Sequence, residues 1–241
     1  MTTEIESYVP KTAMVVVAHP DDAEFMAAGT VAKWSRAGCS VTYVIVTKGD
    51  KGSDDASMTP SQLAEIREVE QREAGRILGV ANFVFMGYPD GYLEHTLDLR
   101  RDLARVIRTH RPEVVICFDP TNRFLSDNYV NHPDHRASGD ATIDAVFPSA
   151  RDRLTFPELL TDGLEPHKVA QLWLGASGEP NTFVDIGETL DTKCDALRAH
   201  PSQLGEDVVE FARQLARWSA GGQPFEFGES FRRFVLETDS A

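Results

Sequence analysis

Apolar residues in this chain follow two patterns that alternate along it. Short continuous runs at 14–18, 41–46, 83–86 and 114–118 read as strands covered on both faces. Between them the apolar positions take helical spacing. One helix covers about 22–37 and is stopped by Gly38; another opens on Thr59-Pro60-Ser61-Gln62, a capping sequence, and carries the stripe Leu63, Ile66, Glu70, Ala74 and Ile77. A third covers 96–110, with Leu99, Leu103, Val106 and Ile107 inward. Further on, the pattern predicts a helix from about 135 to 147, strands over 169–174 and 182–185, and helices near 188–200 and 205–219. Residues 48–57 and 121–131 read as polar loops at strand ends, and 151–166 as an irregular rim over a site. Alternation of strands and helices predicts an α/β fold with a mostly parallel sheet. No repeat or linker divides the chain, so residues 1–241 read as a single domain.

Two strand ends carry polar clusters that packing does not explain. The first run stops on His19-Pro20-Asp21-Asp22, and the fourth strand leads through a polar loop to Asn131-His132-Pro133-Asp134-His135-Arg136. In α/β sheets, ligands bind beyond the carboxyl ends of the strands. Each Pro suits the first position of a helix, and each following acid complements the helix dipole. His19 and Asp22, like His132 and His135, stand three apart, the spacing that shares a helix face. One such cluster could be a helix cap; two in one chain point to a metal. His19, Asp22 and His135 supply two imidazoles and a carboxylate and leave a position open for water, the layout of a catalytic zinc site. Ferrous iron or another divalent first-row metal accepts the same donors. Asp21, beside the ligands yet angled away, is the natural general base. His132 shares the His135 face and could stabilise an oxyanion or pass a proton to a leaving amine. These residues alone imply hydrolysis of an amide or an ester.

Composition narrows the partners. A net charge of −14 argues against nucleic acid and against an anionic membrane surface. No apolar run approaches the roughly 20 residues of a membrane helix, and the first twelve residues resemble no targeting segment. Cys39, Cys117 and Cys194 form no CxxC and read as reduced, buried cysteines of a cytoplasmic protein. No GxGxxG follows the first strand and no GxxxxGK[ST] occurs, so a nucleotide phosphate cradle is unsupported.

Ala18-His19-Pro20-Asp21-Asp22-Ala23-Glu24 and His132-Pro133-Asp134-His135 resemble the two signatures of the LmbE-like (PIG-L) N-acetylglucosaminyl deacetylases. The resemblance continues through 47–52, 67–80, Tyr88-Pro89-Asp90-Gly91, 180–186 and 193–204, nearly the whole chain. It implies a three-layer, Rossmann-like fold, a single LmbE-like deacetylase domain over 1–241, and a zinc-dependent hydrolase that removes the N-acetyl group from a small molecule containing N-acetylglucosamine. It also implies precedent for both roles of His132. Arg67 lies near the apolar side of its helix, and the resemblance gives an Arg at this place a contact with substrate or with the metal site. A Tyr near the position of Tyr129 reaches substrate in relatives. An amidase acting on thiol conjugates or another N-acyl amine fits the same scaffold, and a non-catalytic small-molecule binding domain is the reading from a different class. A homo-oligomer is compatible with all of these.

Overall fold

The structure is a computed structural model that describes residues 4–237. Its elements in chain order are β1 (Glu4–Ile5), β2 (Thr12–Val17), α1 (Asp22–Arg36), β3 (Ser40–Thr47), α2 (Pro60–Leu78), β4 (Asn82–Tyr88), α3 (Leu97–His110) and β5 (Val114–Phe118). A small hairpin of β6 (Phe124–Ser126) and β7 (Tyr129–Val130) follows, then α4 (Pro133–Asp144), continued by a π-helical turn over Ala145–Ser149. The chain closes with α5 (Glu158–Thr161), β8 (Gln171–Gly175), β9 (Thr182–Asp185), α6 (Leu190–Arg198), α7 (Val208–Ser219) and β10 (Gly228–Val235).

Eight strands form one sheet in the order β1-β9-β10-β8-β5-β2-β3-β4. Every neighbouring pair is parallel except those of β10, which runs antiparallel to both β8 and β9. Successive strand side chains point to opposite faces, and β2 shows what that does here. Val15 and Val17 join Tyr43, Ile45, Ile116 and Trp173 in a core capped by α1, α2, α6 and α7. Met14 and Val16 join Val44, Val115 and Leu172 in a second core capped by α3 and α4. The result is three layers, as expected from strands apolar on both faces.

The expected strands and helices are present within a few residues of their expected ends. Two strands have no expected counterpart: β1, at the edge of the sheet, and β10, inserted between β9 and β8. In β10 the buried Glu229 occupies an interior position, so the strand lacks an apolar run. The loop 121–131 contains the β6–β7 hairpin. Residues 151–166 are not a rim over the site. The Arg108 guanidinium, near the end of α3, donates to the carbonyls of Ser149, Ala150, Asp152 and Thr155. That binds the segment to the end of the sheet where β5 begins, whereas the polar clusters stand where β2 and β5 finish. Among the described residues no helix is long and apolar enough to cross a membrane.

Candidate metal centre and catalytic cleft

The turn after β2 brings His19, Asp21 and Asp22 to the carboxyl end of the sheet, and the loop after β5 brings His132 and His135 to the same place. The ring centroids of His19 lie 4.8 Å from those of His132 and 5.2 Å from those of His135. The local construction of the first cluster differs from the expected one. Pro20 is not the first residue of α1; Asp21 stands outside the helix as its N-cap, with φ +89°. His19 and Asp22 therefore meet across a tight turn rather than along a helix face, with the His19 N–H donating to Asp22 Oδ2 at 2.7 Å. The second cluster is built as expected: His132 is the N-cap of α4 and Pro133 its first residue.

Asp22 joins the two clusters. Its Oδ2 lies 3.3 Å from His19 Nδ1 and its Oδ1 lies 3.1 Å from His135 Nε2. Each imidazole has its other nitrogen occupied. His19 Nε2 faces Asp90 Oδ1 at 3.1 Å and Asp134 Oδ2 at 3.3 Å. His135 Nδ1 stands 3.1 Å from Asn131 Oδ1, an acceptor, so Nδ1 donates there and Nε2 is the nitrogen turned toward Asp22. The Phe118 ring stacks on His135 with centroids 4.2 Å apart and planes 8° from parallel, holding the imidazole in that orientation. Ligating imidazoles are ordinarily oriented by a partner on the outer nitrogen, and both rings have one here.

The charges around these groups call for a cation. Burial alone would lower the His19 imidazole, but contacts with Asp134, Asp22 and Asp90 overcome it and push its pKa up to about 12. Burial opposes the charge on Asp22, yet His135 and His19 hold its carboxyl far below the usual carboxylate range. Asp134, despite its burial, is also held low, by His19 and by the Gly91 N–H that donates to it at 2.7 Å. Carboxylates thus crowd one imidazole, and a divalent ion between His19, Asp22 and His135 would answer that charge. Ligand atoms of His19, His132 and His135, and separately of His19, Asp90 and Asp134, also lie within 4.8 Å of one another. The Asp22 carboxylate stands between two rings whose outer nitrogens are taken, so His19, Asp22 and His135 could also hold an ion together.

Asp21 points elsewhere. Its Oδ2 accepts from Arg67 Nη2 at 3.2 Å. Burial and the Asp22 charge push the Asp21 carboxyl up to about 7 against the pull of Arg67. His132 Nδ1 accepts the Asp134 N–H at 3.2 Å, so its proton is on Nε2. Burial, and then the His19 charge, lower its pKa and keep it neutral. A cleft of about 320 Å³ opens onto these groups, lined by His19, Asp21, Arg67, Asp90 and His132 with Lys51. A larger cavity of about 490 Å³, lined by Lys48, Ser61 and Phe85, contains none of the imidazoles.

The model of the GlcNAc-PI de-N-acetylase family, PIG-L, matches residues 14–146, a stretch that holds both clusters. The chain belongs to this family. It is 34% identical over 226 residues to the diacetylchitobiose deacetylase of Thermococcus kodakarensis, covering 92% of this chain and 82% of that one. A probable N-acetyl-α-D-glucosaminyl L-malate deacetylase 2 of Bacillus anthracis is 31% identical, with 83% and 85% covered. Among solved structures, the N,N′-diacetylchitobiose deacetylase of Pyrococcus horikoshii, complexed with an inhibitor, superposes with a TM-score of 0.87 at 32% identity, covering 94% of this chain and 84% of that one.

Within this PIG-L scaffold, the fold brings together His19, Asp21, Asp22, Arg67, His132 and His135. Arg67 is buried and its amino groups are engaged by protein: Nη1 donates to the Gly49 carbonyl at 2.9 Å, and Nη2 to the Pro20 carbonyl at 2.6 Å and to Asp21. Of the two contacts open to it from sequence, the one seen is with a site carboxylate. Tyr129 is exposed on the β6–β7 hairpin. Asp90, Asn131, Asp134 and Phe118 were not singled out for roles. Asp134 and Asn131 stand inside the second cluster, and their contacts with His19 and His135 are those an imidazole needs on its outer nitrogen if it is to hold a metal. Asp90 stands in one of the stretches that carry the resemblance but reaches His19 from another strand end, and Phe118 gives no local signal.

Proposed function

We propose that this chain is a metal-dependent hydrolase that removes the N-acetyl group from an N-acetylglucosamine unit in a small molecule, acting as a single deacetylase domain over residues 1–241. The observation that carries this reading is the Asp22 carboxylate set between His19 Nδ1 and His135 Nε2, with a second acid beside it held by Arg67. A zinc ion, or ferrous iron, held by His19, Asp22 and His135 would lower the pKa of water and polarise the amide carbonyl. Asp21 accepts a proton from the attacking water. His132, neutral with its proton on Nε2, donates a hydrogen bond to the carbonyl oxygen as negative charge develops there. Asp21 then returns its proton to the amide nitrogen as the C–N bond breaks, releasing acetate and a free amine. Arg67 keeps the Asp21 carboxylate oriented, and the cleft, rimmed by Asp90 and Lys51, receives the sugar. Three free, buried cysteines suit a reducing cytoplasm.

Acetate release from N-acetylglucosamine, N,N′-diacetylchitobiose and N-acetylglucosaminyl malate, with and without chelator, tests the reaction. Turnover abolished by chelator and restored by zinc is expected. Cleavage of a thiol-conjugate amide with no acetate from any of the three sugars would transfer the reading to an amidase. Elemental analysis tests the ligands: His135→Ala should lose the ion that wild type retains, and equal metal in both proteins would remove His135 from the set. Asn131→Ala should weaken metal affinity by about 10–100-fold, because the His135 ring loses its outer partner. Competition with a chromogenic chelator measures this, and an unchanged affinity would leave the stacking on Phe118 as the sole orienting contact.

A further inference from the structure

Gln71 lies on α2, one turn beyond Arg67, and is fully buried. A buried carboxamide needs partners for both of its ends. Its Oε1 accepts the backbone N–H of Asp21 at 3.0 Å, and its Nε2 donates to Glu24 Oε1 at 2.9 Å. Glu24 is itself fully buried on α1, its other oxygen 3.4 Å from Nε2 of the buried His200. Both ends of the amide are therefore set by groups that cannot turn away into water.

The residue it holds is in an unusual conformation. Asp21 has φ +89°, a left-handed backbone that non-glycine residues rarely adopt. The next residue begins α1, so the relaxed alternative is a right-handed Asp21 that extends the helix by one position. That change would rotate the Asp21 N–H away from Gln71 and swing the carboxylate off the cleft. From the same face of α2, Arg67 takes the Pro20 carbonyl and the Asp21 carboxylate. Helix α2 thus grips the 20–21 turn by backbone donor, backbone acceptor and side chain, and Gln71 is the only one of these grips on the Asp21 amide among the hydrogen bonds described.

We propose that Gln71 is a positioning residue for the reaction: its carboxamide holds Asp21 in the left-handed conformation and so aims the Asp21 carboxylate into the cleft. The proposal rests on the reading of Asp21 as the general base. Gln71 does not line the cleft, and its hydrogen bonds go to Asp21 and Glu24 rather than to a candidate metal ligand, so its loss should act on turnover more than on binding. Misplacing a catalytic group by about 1 Å can cost on the order of 10²-fold in rate.

The test uses zinc-loaded Gln71→Met and Gln71→Glu, with N,N′-diacetylchitobiose as substrate, bound zinc measured in parallel, and a crystal structure of Gln71→Met. In Gln71→Met the Asp21 φ should leave the left-handed region, and kcat should fall about 10–100-fold with KM and zinc content within about twofold of wild type. Gln71→Glu keeps an acceptor for the Asp21 N–H and can share a proton with Glu24, so it should recover most of the lost kcat. An Asp21 that stays at positive φ in Gln71→Met overturns the proposal, whatever the rate. So does a relaxed Asp21 with wild-type kcat, provided Asp21→Asn is itself slow. A fast Asp21→Asn would instead retire the general-base reading. In the Asp21→Asn background, Gln71→Met should cause no further loss, and an additive loss would show that Gln71 acts on something other than Asp21.

Discussion

Replacing Asp21 with asparagine is expected to lower kcat by about 10²–10⁴ while leaving the bound metal in place. On the proposed reading, the turn that holds two adjacent acids at the end of one strand gives them different tasks. Asp22 faces inward and touches both His19 and His135. Asp21, turned by its left-handed backbone, touches Arg67 instead. Asparagine keeps the shape of the side chain and an oxygen for Arg67, and it removes the capacity to accept a proton from water. Asp22→Ala should behave in the opposite way, losing metal affinity and regaining part of its activity in excess zinc. Kinetics and metal content of both variants decide the matter. Loss of metal from Asp21→Asn, or full-affinity retention by Asp22→Ala, would exchange the two roles.

Much of this site is legible in the sequence because its key residues are local. His19 with Asp22, and His132 with His135, are near neighbours in the chain, and each pair follows an apolar run whose end marks the ligand side of the sheet. The cap sequence Thr59-Pro60-Ser61-Gln62 names its helix start for the same reason, and the structure shows the reciprocal bonds between Thr59 and Gln62. What could not be read locally depends on tertiary approach. Asp90 comes from the loop after β4 and meets His19 only when β2, β3 and β4 lie side by side. Phe118 looks like any strand residue until His135 stacks on it. The left-handed Asp21 was also invisible, since Pro20 suggested an ordinary helix start one residue earlier. The bonds to Gln71 and Arg67, from a helix more than forty residues away in the chain, hold the turn in a conformation that its own sequence would not choose.

Strand β10 is hidden for a different reason, and it carries the largest expected effect on stability. Residues 228–235 show no apolar run, because an acid sits where an apolar residue would announce a strand. Glu229 is buried, and its carboxylate accepts the Gly29 and Thr30 N–H groups of α1 at 2.9 and 2.8 Å. Lys193 of α6, equally buried, donates to Glu229 Oε1 at 2.7 Å and to the Phe25 carbonyl at 2.7 Å. The Phe25 carbonyl and the Gly29 amide are the two ends of one rung of α1, and each receives a side chain from another element. Gly29 also makes room for Ile186, since a Cβ there would lie 2.7 Å from that side chain. The pair thus ties α6, α1 and β10 together through a helix stretch that must pack tightly. Removing one partner of a buried ion pair costs about 3–5 kcal/mol, because the other charge stays behind without compensation. Glu229→Ala should therefore lower Tm by roughly 6–20 °C at about 2–4 °C per kcal/mol for a chain of this size. Lys193→Met alone should also be destabilised, leaving the carboxylate with amide donors only. Combining Glu229→Leu with Lys193→Met removes both charges and should recover part of the loss of Glu229→Ala, as apolar replacement of a whole buried pair often does. Thermal unfolding of the three variants is the measurement. A Glu229→Ala protein that melts within about 2 °C of wild type would show that water reaches the Lys193 ammonium and that the pair contributes little more than a surface one.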